Sequence, residues 1–223
     1  IIYTGFNWLD PVVGGDSERA RKLRQAISIA VDFDEWVSIF ANGRGIVAQG
    51  PIAPGVFGYR EGHEGMNPLV YEWDEARQVP RRKSIDVARR LLAEAGYPDG
   101  SDKQTGQPLV LALDTVARGP GDKARLDWWR KQLAKLSIQL EVRDSDWNRF
   151  QEKLRKGSQQ LFTLGWNADY PDPENFLFLL DGRQARARGE GENKSNYSQP
   201  EYDRLFDRVK AMPNSAERQV LID

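Results

Sequence analysis

The stretch LVLALDTVARGPGDKARLDWWRKQLAKLSIQLEVRDSDWNRFQEKLRKGSQQLFTLG, residues 109–165, carries the clearest fold signal because its hydrophobic period switches repeatedly. Segments typical of strands lie at 109–113, 138–142 and 160–164, and helical spacing of apolar residues lies between them, at 122–136 and 146–156. This β-α-β-α-β order with short connections predicts right-handed crossovers between parallel strands. We therefore expect an α/β fold with a partly parallel sheet flanked by helices.

The sequence on either side adds further elements to this unit. Residues 1–8 predict a strand that leads into a loop, and the apolar spacing from Leu23 to Ala30 predicts a helix that Asp16 or Ser17 can cap. Further helices are predicted at 34–41, at 85–95 with Ser84 as the cap, and at 172–180, and two more helices close the chain. Loops are predicted at 43–80, which is rich in Gly and Pro, and at 183–191, which is rich in Arg and expected to be solvated.

The composition excludes several classes of protein. The 223 residues suffice for one sizeable domain or two small ones, and 39% of them are hydrophobic, which excludes wholesale disorder. The 32 basic and 33 acidic side chains give a net charge of −1, so no field of one sign attracts nucleic acid or an anionic membrane. No apolar run is long enough to span a bilayer, and no signal peptide is visible. Because the first residue is Ile, we expect a processed chain or an excised piece.

The sequence contains few residues that could act as catalytic nucleophiles or metal ligands. Cysteine is absent, so there are no disulfides, thiol nucleophiles or thiolate metal sites. The lone histidine, His63, lies in the loop-like sequence GHEG, where a solvated histidine is the ordinary interpretation. We therefore expect no catalytic residue, no metal site and no cofactor.

The segment GWNADYPDPENF, residues 165–176, directly follows the third predicted strand of the unit. Ligands of open α/β sheets bind beyond the carboxyl ends of parallel strands, so Asp169, flanked by Trp166 and Tyr170, can neutralise a ligand ammonium there. Residue chemistry alone leaves a plain loop carboxylate equally open. Asp172 could pair with Asp169 as the two carboxylates of a hydrolase, but its position before Pro173 indicates a helix cap instead.

Five stretches, in this order, also resemble the extracytoplasmic solute-binding proteins of ATP-driven (ABC) importers, in their oligopeptide/dipeptide-binding family (family 5). They are LRQAISIAVD at 23–32, the GRGIVAQGPIAPG segment at 43–55, ARRLLAEAGY at 88–97, GWNADYPDPENF at 165–176 and NYSQPEYD at 196–203. No single motif is decisive, and their shared order is what makes the resemblance specific.

The resemblance implies a periplasmic-binding-protein-like lobe. Family members are more than twice as long and hold their ligand between two lobes, so residues 1–223 are expected to be a single lobe, the C-terminal ligand-binding one. In peptide-binding members the Asp of the GW-containing motif pairs with the ligand's α-amino group; by motif this is Asp169, with Trp166 as a wall of the slot. The resemblance further implies a small solute or peptide as ligand, a membrane permease as partner, and a periplasmic or extracytoplasmic location.

Two other functions stay open beside this one. A small carboxylate-dependent hydrolase would use Asp169 and Asp172, but it lacks a His, Cys or metal set. An isolated structural domain without a ligand is the other alternative. Under the receptor interpretation we expect a monomer that binds no nucleic acid and catalyses no reaction.

Overall fold

A computed structural model describes residues 1–223 as a four-stranded sheet with surrounding helices and a separate two-stranded hairpin. The strands are β1 (Ile2–Phe6), β2 (Tyr71–Asp74), β3 (Val79–Arg82), β4 (Val110–Val116), β5 (Gln139–Ser145) and β6 (Leu161–Gly165). The helices are α1 (Glu18–Ala30), α2 (Phe33–Phe40), α3 (Gly62–Gly65), α4 (Ile85–Glu94), α5 (Lys123–Ala134), α6 (Trp147–Lys156), α7 (Glu174–Leu177), α8 (Pro200–Ala211) and α9 (Ala216–Ile222). None of these helices combines the length and apolarity needed to cross a bilayer.

The sheet confirms the predicted parallel unit. Its order is β1-β6-β4-β5, and β4 runs parallel to both β5 and β6. The connecting helices α5 and α6 lie where the apolar spacing predicts them. The first strand, β1, joins the edge of the sheet antiparallel to β6, so the sheet is only partly parallel, as expected.

Apolar side chains cover both faces of the central strand β4. Leu111 and Leu113 are buried in the larger core, which α1, α4 and α5 also supply. On the other face Phe162 of β6 packs with Phe150 and Leu154 of α6 in a second, smaller core. Because successive strand residues point to opposite faces, burial on both sides requires the near-continuous apolar run of the sequence.

Local capping chemistry accounts for several of the helix ends. Of the two candidate caps of α1, Ser17 is the one used, since its side chain accepts the Ala20 N–H at 3.2 Å. Ser84 occupies the N-cap position of α4, as predicted, but its side chain makes no capping hydrogen bond. Gly157 ends α6 in the left-handed conformation that glycine adopts without strain.

Two segments predicted as loops contain more structure than expected. The antiparallel hairpin β2–β3 lies inside the Gly- and Pro-rich region, with the Glu72 carboxylate paired to Arg81 across the two strands. In the Arg-rich segment 183–191, Arg186 is buried rather than solvated, and its guanidinium donates to the Glu190 carboxylate at 3.0 Å. The hairpin also contacts a distant part of the chain, which local composition does not encode: the Arg82 guanidinium donates to the Ser28 carbonyl at 2.9 Å.

Leu133→Ala should lower the free energy of unfolding by about 2–5 kcal/mol, because Leu133 is fully buried in the larger core and its truncation leaves a cavity. Urea denaturation monitored by tryptophan fluorescence measures this loss. The matched control is Leu205→Ala on α8, where the side chain is 37% exposed and the loss should be well below that of Leu133→Ala. Equal losses in the two variants would contradict the buried orientation of this face of α5.

Candidate functional site

The first residue of the loop after β6, Trp166, is held in place by hydrogen bonds and packing. The Trp166 N–H donates to the Ile1 carbonyl at 2.8 Å, which extends the β1–β6 ladder into the loop. The Trp166 indole Nε1–H donates to the Asn175 carbonyl at 2.8 Å, and its ring packs edge-on against Phe178 with centroids 5.2 Å apart. Trp166 is therefore a fixed, half-buried wall of this loop.

Asp169 lies in the same loop, with its backbone held and its side chain free. Its N–H donates to Asn175 Oδ1 at 3.0 Å, and the Trp166 indole reaches the same oxygen at 3.2 Å. The Asp169 carboxylate is exposed and takes part in no hydrogen bond or ion pair within the chain. The loop thus presents an unpaired negative charge from a fixed backbone.

Asn175 organises this arrangement, and residue chemistry did not single it out. Its side chain is buried in the first turn of α7, and its oxygen holds both Trp166 and Asp169. The available signal was its position in the stretch that resembles the solute-binding family.

Tyr170 is 47% exposed and turned toward α7. Its hydroxyl donates to the Glu174 carboxylate, and this hydrogen bond raises the pKa of Tyr170 above its usual value. The sequence-predicted set of Trp166, Asp169 and Tyr170 is therefore brought together in one loop, while the phenol of Tyr170 is already engaged.

The Asp172 carboxylate is occupied by structural hydrogen bonds. One oxygen accepts the Glu174 N–H at 2.9 Å, as the capping interpretation predicts, and the carboxylate receives both terminal nitrogens of Arg218 at 2.8 and 2.9 Å. The Arg218 hydrogen bond is the main reason that the pKa of Asp172 is lowered from its usual value. An ionised, doubly held carboxylate is unsuited to act as the general acid of a hydrolase, because it has no proton to give and no freedom to move.

A groove of about 510 Å³ runs along β1, beside this loop. Its walls come from segments that are far apart in the chain. They are β1 with Trp8, residues Gln49 to Pro51, the three residues Phe176, Leu179 and Leu180, and the three residues Lys194, Ser195 and Tyr197. Phe176 is the point of contact with the loop, since it directly follows Asn175. Asp169, Trp166 and Tyr170 do not line the groove.

The lone histidine takes no part in this site. His63 is exposed on the single-turn helix α3, and its ring meets the edge of Trp73 with centroids 5.4 Å apart. No three His, Asp or Glu side chains of the chain are arranged to hold a metal ion.

The fold resembles that of periplasmic binding proteins of known structure. The structure of a DppA from Helicobacter pylori, described as an ABC transporter-associated periplasmic binding protein in complex with the peptide STSA, superposes with a TM-score of 0.75 at 21% identity and covers 99% of this chain and 37% of that one. A dipeptide-binding protein from Pseudoalteromonas sp. SM9913, in complex with Met-Leu, gives a TM-score of 0.76 at 21% identity, over 99% and 38%. At this identity the likeness establishes the fold.

Residues 2–187 match the family described as bacterial extracellular solute-binding proteins, family 5, middle part, and the chain belongs to that family. Heme-binding protein A of Haemophilus influenzae is 26% identical over 201 residues, which are 90% of this chain and 32% of that protein. The dipeptide-binding protein of Escherichia coli is 28% identical over 178 residues, 79% and 29% respectively. The chain thus spans about a third of the length of these relatives.

Proposed function

We propose that residues 1–223 are the C-terminal ligand-binding lobe of a two-lobed receptor that captures a solute and delivers it to the permease of an ABC importer. The receptor acts in the periplasm or another extracytoplasmic compartment, as a monomer, and binds its ligand without turnover. Membership of an extracellular solute-binding family supports this role. The net charge of −1 gives no support to a nucleic-acid partner.

The ligand that this lobe recognises carries an amine, and a peptide is the first choice. The observation that carries this proposal is the Asp169 carboxylate, which is charged, exposed and unpaired on a loop whose backbone Asn175 holds in place. An ammonium group is its natural partner, and Trp166 beside it can exclude water from the pair when a ligand covers it. Several relatives are described as peptide-binding and one as heme-binding. Of these two kinds of ligand, the peptide is favoured because its amino group can pair with the Asp169 carboxylate.

A hydrolase is the weaker alternative. Asp172 would have to supply the second carboxylate, and Arg218 and the Glu174 N–H already hold it. A binding role needs only one free carboxylate, which Asp169 supplies.

In the two-lobed parent protein, Asp169→Asn should weaken the binding of a dipeptide by about 2–5 kcal/mol, because the ligand ammonium would be buried without a counter-charge. Isothermal titration calorimetry with the wild type and the variant measures the difference. Dipeptide recovered after the titration should be chemically unchanged.

The matched control is Asp144→Asn, which removes one exposed, unpaired carboxylate at the end of β5, the neighbouring parallel strand of β4. Dipeptide affinity should stay close to that of the wild type in this variant. Equal affinities for wild type and Asp169→Asn would refute the role of Asp169, and cleavage of the dipeptide would refute binding without turnover.

A further inference from the structure

The groove along β1 contains a cation without a counter-ion. Arg24 lies on α1 and lines the groove together with Trp8 and Tyr197. Its Nη1 donates to the Val13 and Gly15 carbonyls at 2.7 and 2.9 Å, which fixes the guanidinium in place. Its Nε and Nη2 have no partner in the chain, and neither is sealed from solvent.

Neighbouring charges do not neutralise Arg24. The negative charge of Asp16 acts on Arg24, but the Asp16 carboxylate is paired to Arg21 at 2.6 Å and forms no ion pair with Arg24. Lys194, another cation in the groove wall, differs from Arg24 because Glu192 lies 3.0 Å from its ammonium. Arg24 is half-buried, and this loss of water lowers the pKa of its guanidinium.

One aromatic ring lies close to the Arg24 guanidinium, and a second ring packs against the first. Its central carbon lies 5.2 Å from the centre of the Trp8 ring, and Trp8 in turn packs edge-on against Tyr197 with centroids 4.9 Å apart. Other parts of the groove wall are apolar, among them Phe6, Pro51 and Leu180. A volume of about 510 Å³ suits a small organic molecule.

We propose that Arg24 and this groove form a binding site for an apolar organic carboxylate, whose carboxyl group pairs with Nε and Nη2 of Arg24 while its hydrocarbon part lies along the apolar wall. The two free N–H groups present the fork that matches a carboxylate. The aromatic and aliphatic wall removes water from the rest of the ligand. This site is independent of Asp169, which does not line the groove.

Octanoate is the probe, and octanamide is its uncharged counterpart of nearly equal shape. In a two-dimensional NMR titration of the chain, octanoate should shift the signals of Trp8, Arg24 and Tyr197 and bind roughly tenfold or more tightly than octanamide, because a hydrogen bond to a charged group is worth more than one to a neutral group. Hexanoate should bind more weakly than octanoate, by up to about fourfold for each methylene removed. Inorganic phosphate, which lacks an apolar part, should bind more weakly than octanoate.

Two variants test the assignment to Arg24. Arg24→Gln removes the charge and should abolish the preference for octanoate over octanamide, while Arg24→Lys should keep part of it. Gln49→Glu adds a negative charge to the groove and keeps an oxygen to accept the Asn67 N–H, now at 3.0 Å, so it should weaken octanoate without loss of the fold. If Arg24→Gln fails to fold, Gln49→Glu still tests whether octanoate binds in this groove.

Three results would overturn the proposal. They are equal affinities for octanoate and octanamide, signal shifts that map away from the groove, and octanoate binding unchanged in both folded Arg24→Gln and Gln49→Glu. Because octanoate has no amine, these results do not depend on the proposed role of Asp169. Asp169→Asn should leave octanoate binding unchanged, so failure of one proposal is distinguishable from failure of the other.

Discussion

Arg218→Leu should lower the free energy of unfolding by about 3 kcal/mol, because it breaks an ion pair whose cationic side is almost fully buried. The Arg218 side chain is 3% exposed and donates to the Asp172 carboxylate, the Val209 carbonyl and Asn214. Leucine fills part of the space but leaves these acceptors without their donor. Urea denaturation of wild type and variant measures the loss.

The control for this prediction is an exposed pair of the same type. Arg130 and Asp127 are 2.8 Å apart, with side chains 46% and 42% exposed, so Arg130→Gln should cost only about 0–1 kcal/mol. A loss in Arg218→Leu no larger than in Arg130→Gln would contradict the structural role of the Asp172–Arg218 pair. Arg218→Leu should also weaken dipeptide binding, because Asp172 holds the far end of the loop that carries Asp169.

The Asp172–Arg218 pair also makes stability depend on pH. Arg218 lowers the pKa of Asp172 in the folded protein, whereas the unfolded chain has the ordinary value of about 3.9. The contribution of the pair is therefore fully present above the unfolded pKa and is lost as the pH falls through the lowered folded pKa. The stability difference between wild type and Asp172→Asn, measured by urea denaturation at several pH values, should shrink below about pH 4. A difference that grows with falling pH would contradict this sign.

Lys153→Met should lower the free energy of unfolding by about 3–5 kcal/mol, because it leaves the buried Asp114 carboxylate without a counter-charge. Asp114 belongs to the central strand β4, its side chain is 1% exposed, and its only partner is the Lys153 ammonium from α6. Its second oxygen already lacks a hydrogen bond. Thermal or urea denaturation measures the loss.

A double variant separates the lost pairing from lost packing. Asp114→Leu combined with Lys153→Met replaces both charges by apolar groups and should recover most of the stability lost in Lys153→Met alone. If the double variant is as unstable as Lys153→Met, the buried charge is not the cause of the loss.

Much of the fold follows from patterns that are local in the sequence. The three parallel strands and helices α5 and α6 lie within a few residues of their predicted positions, because hydrophobic period depends only on neighbouring residues. The predicted first strand of the unit ended at residue 113, whereas β4 continues to Val116. Asp114 and Thr115 are polar, so their burial needs Lys153 and Thr163 from other elements.

The hairpin β2–β3 shows the opposite case, in which local signals were weak. Gly and Pro surround it, and Pro80 lies within β3 itself, which argues against a strand. The hairpin forms because it has distant partners: Tyr71 is buried in the larger core, and the Arg82 guanidinium donates to the Ser28 carbonyl near the end of α1 at 2.9 Å. A two-stranded hairpin also needs no hydrogen bond from Pro80 on its outer edge.

The candidate site divides in the same way. The position of Asp169 after a parallel strand could be read from the sequence, since a strand pattern followed by a polar loop is a local feature. The partner of Asp172 could not, because Arg218 lies 46 residues away and nothing near either residue indicates the other. The groove around Arg24 needs the tertiary structure for the same reason: β1, Gln49, Phe176 and Tyr197 become neighbours only when the chain folds back on itself. Spacing encodes which face of an element is apolar, but which distant charges meet depends on how those elements pack.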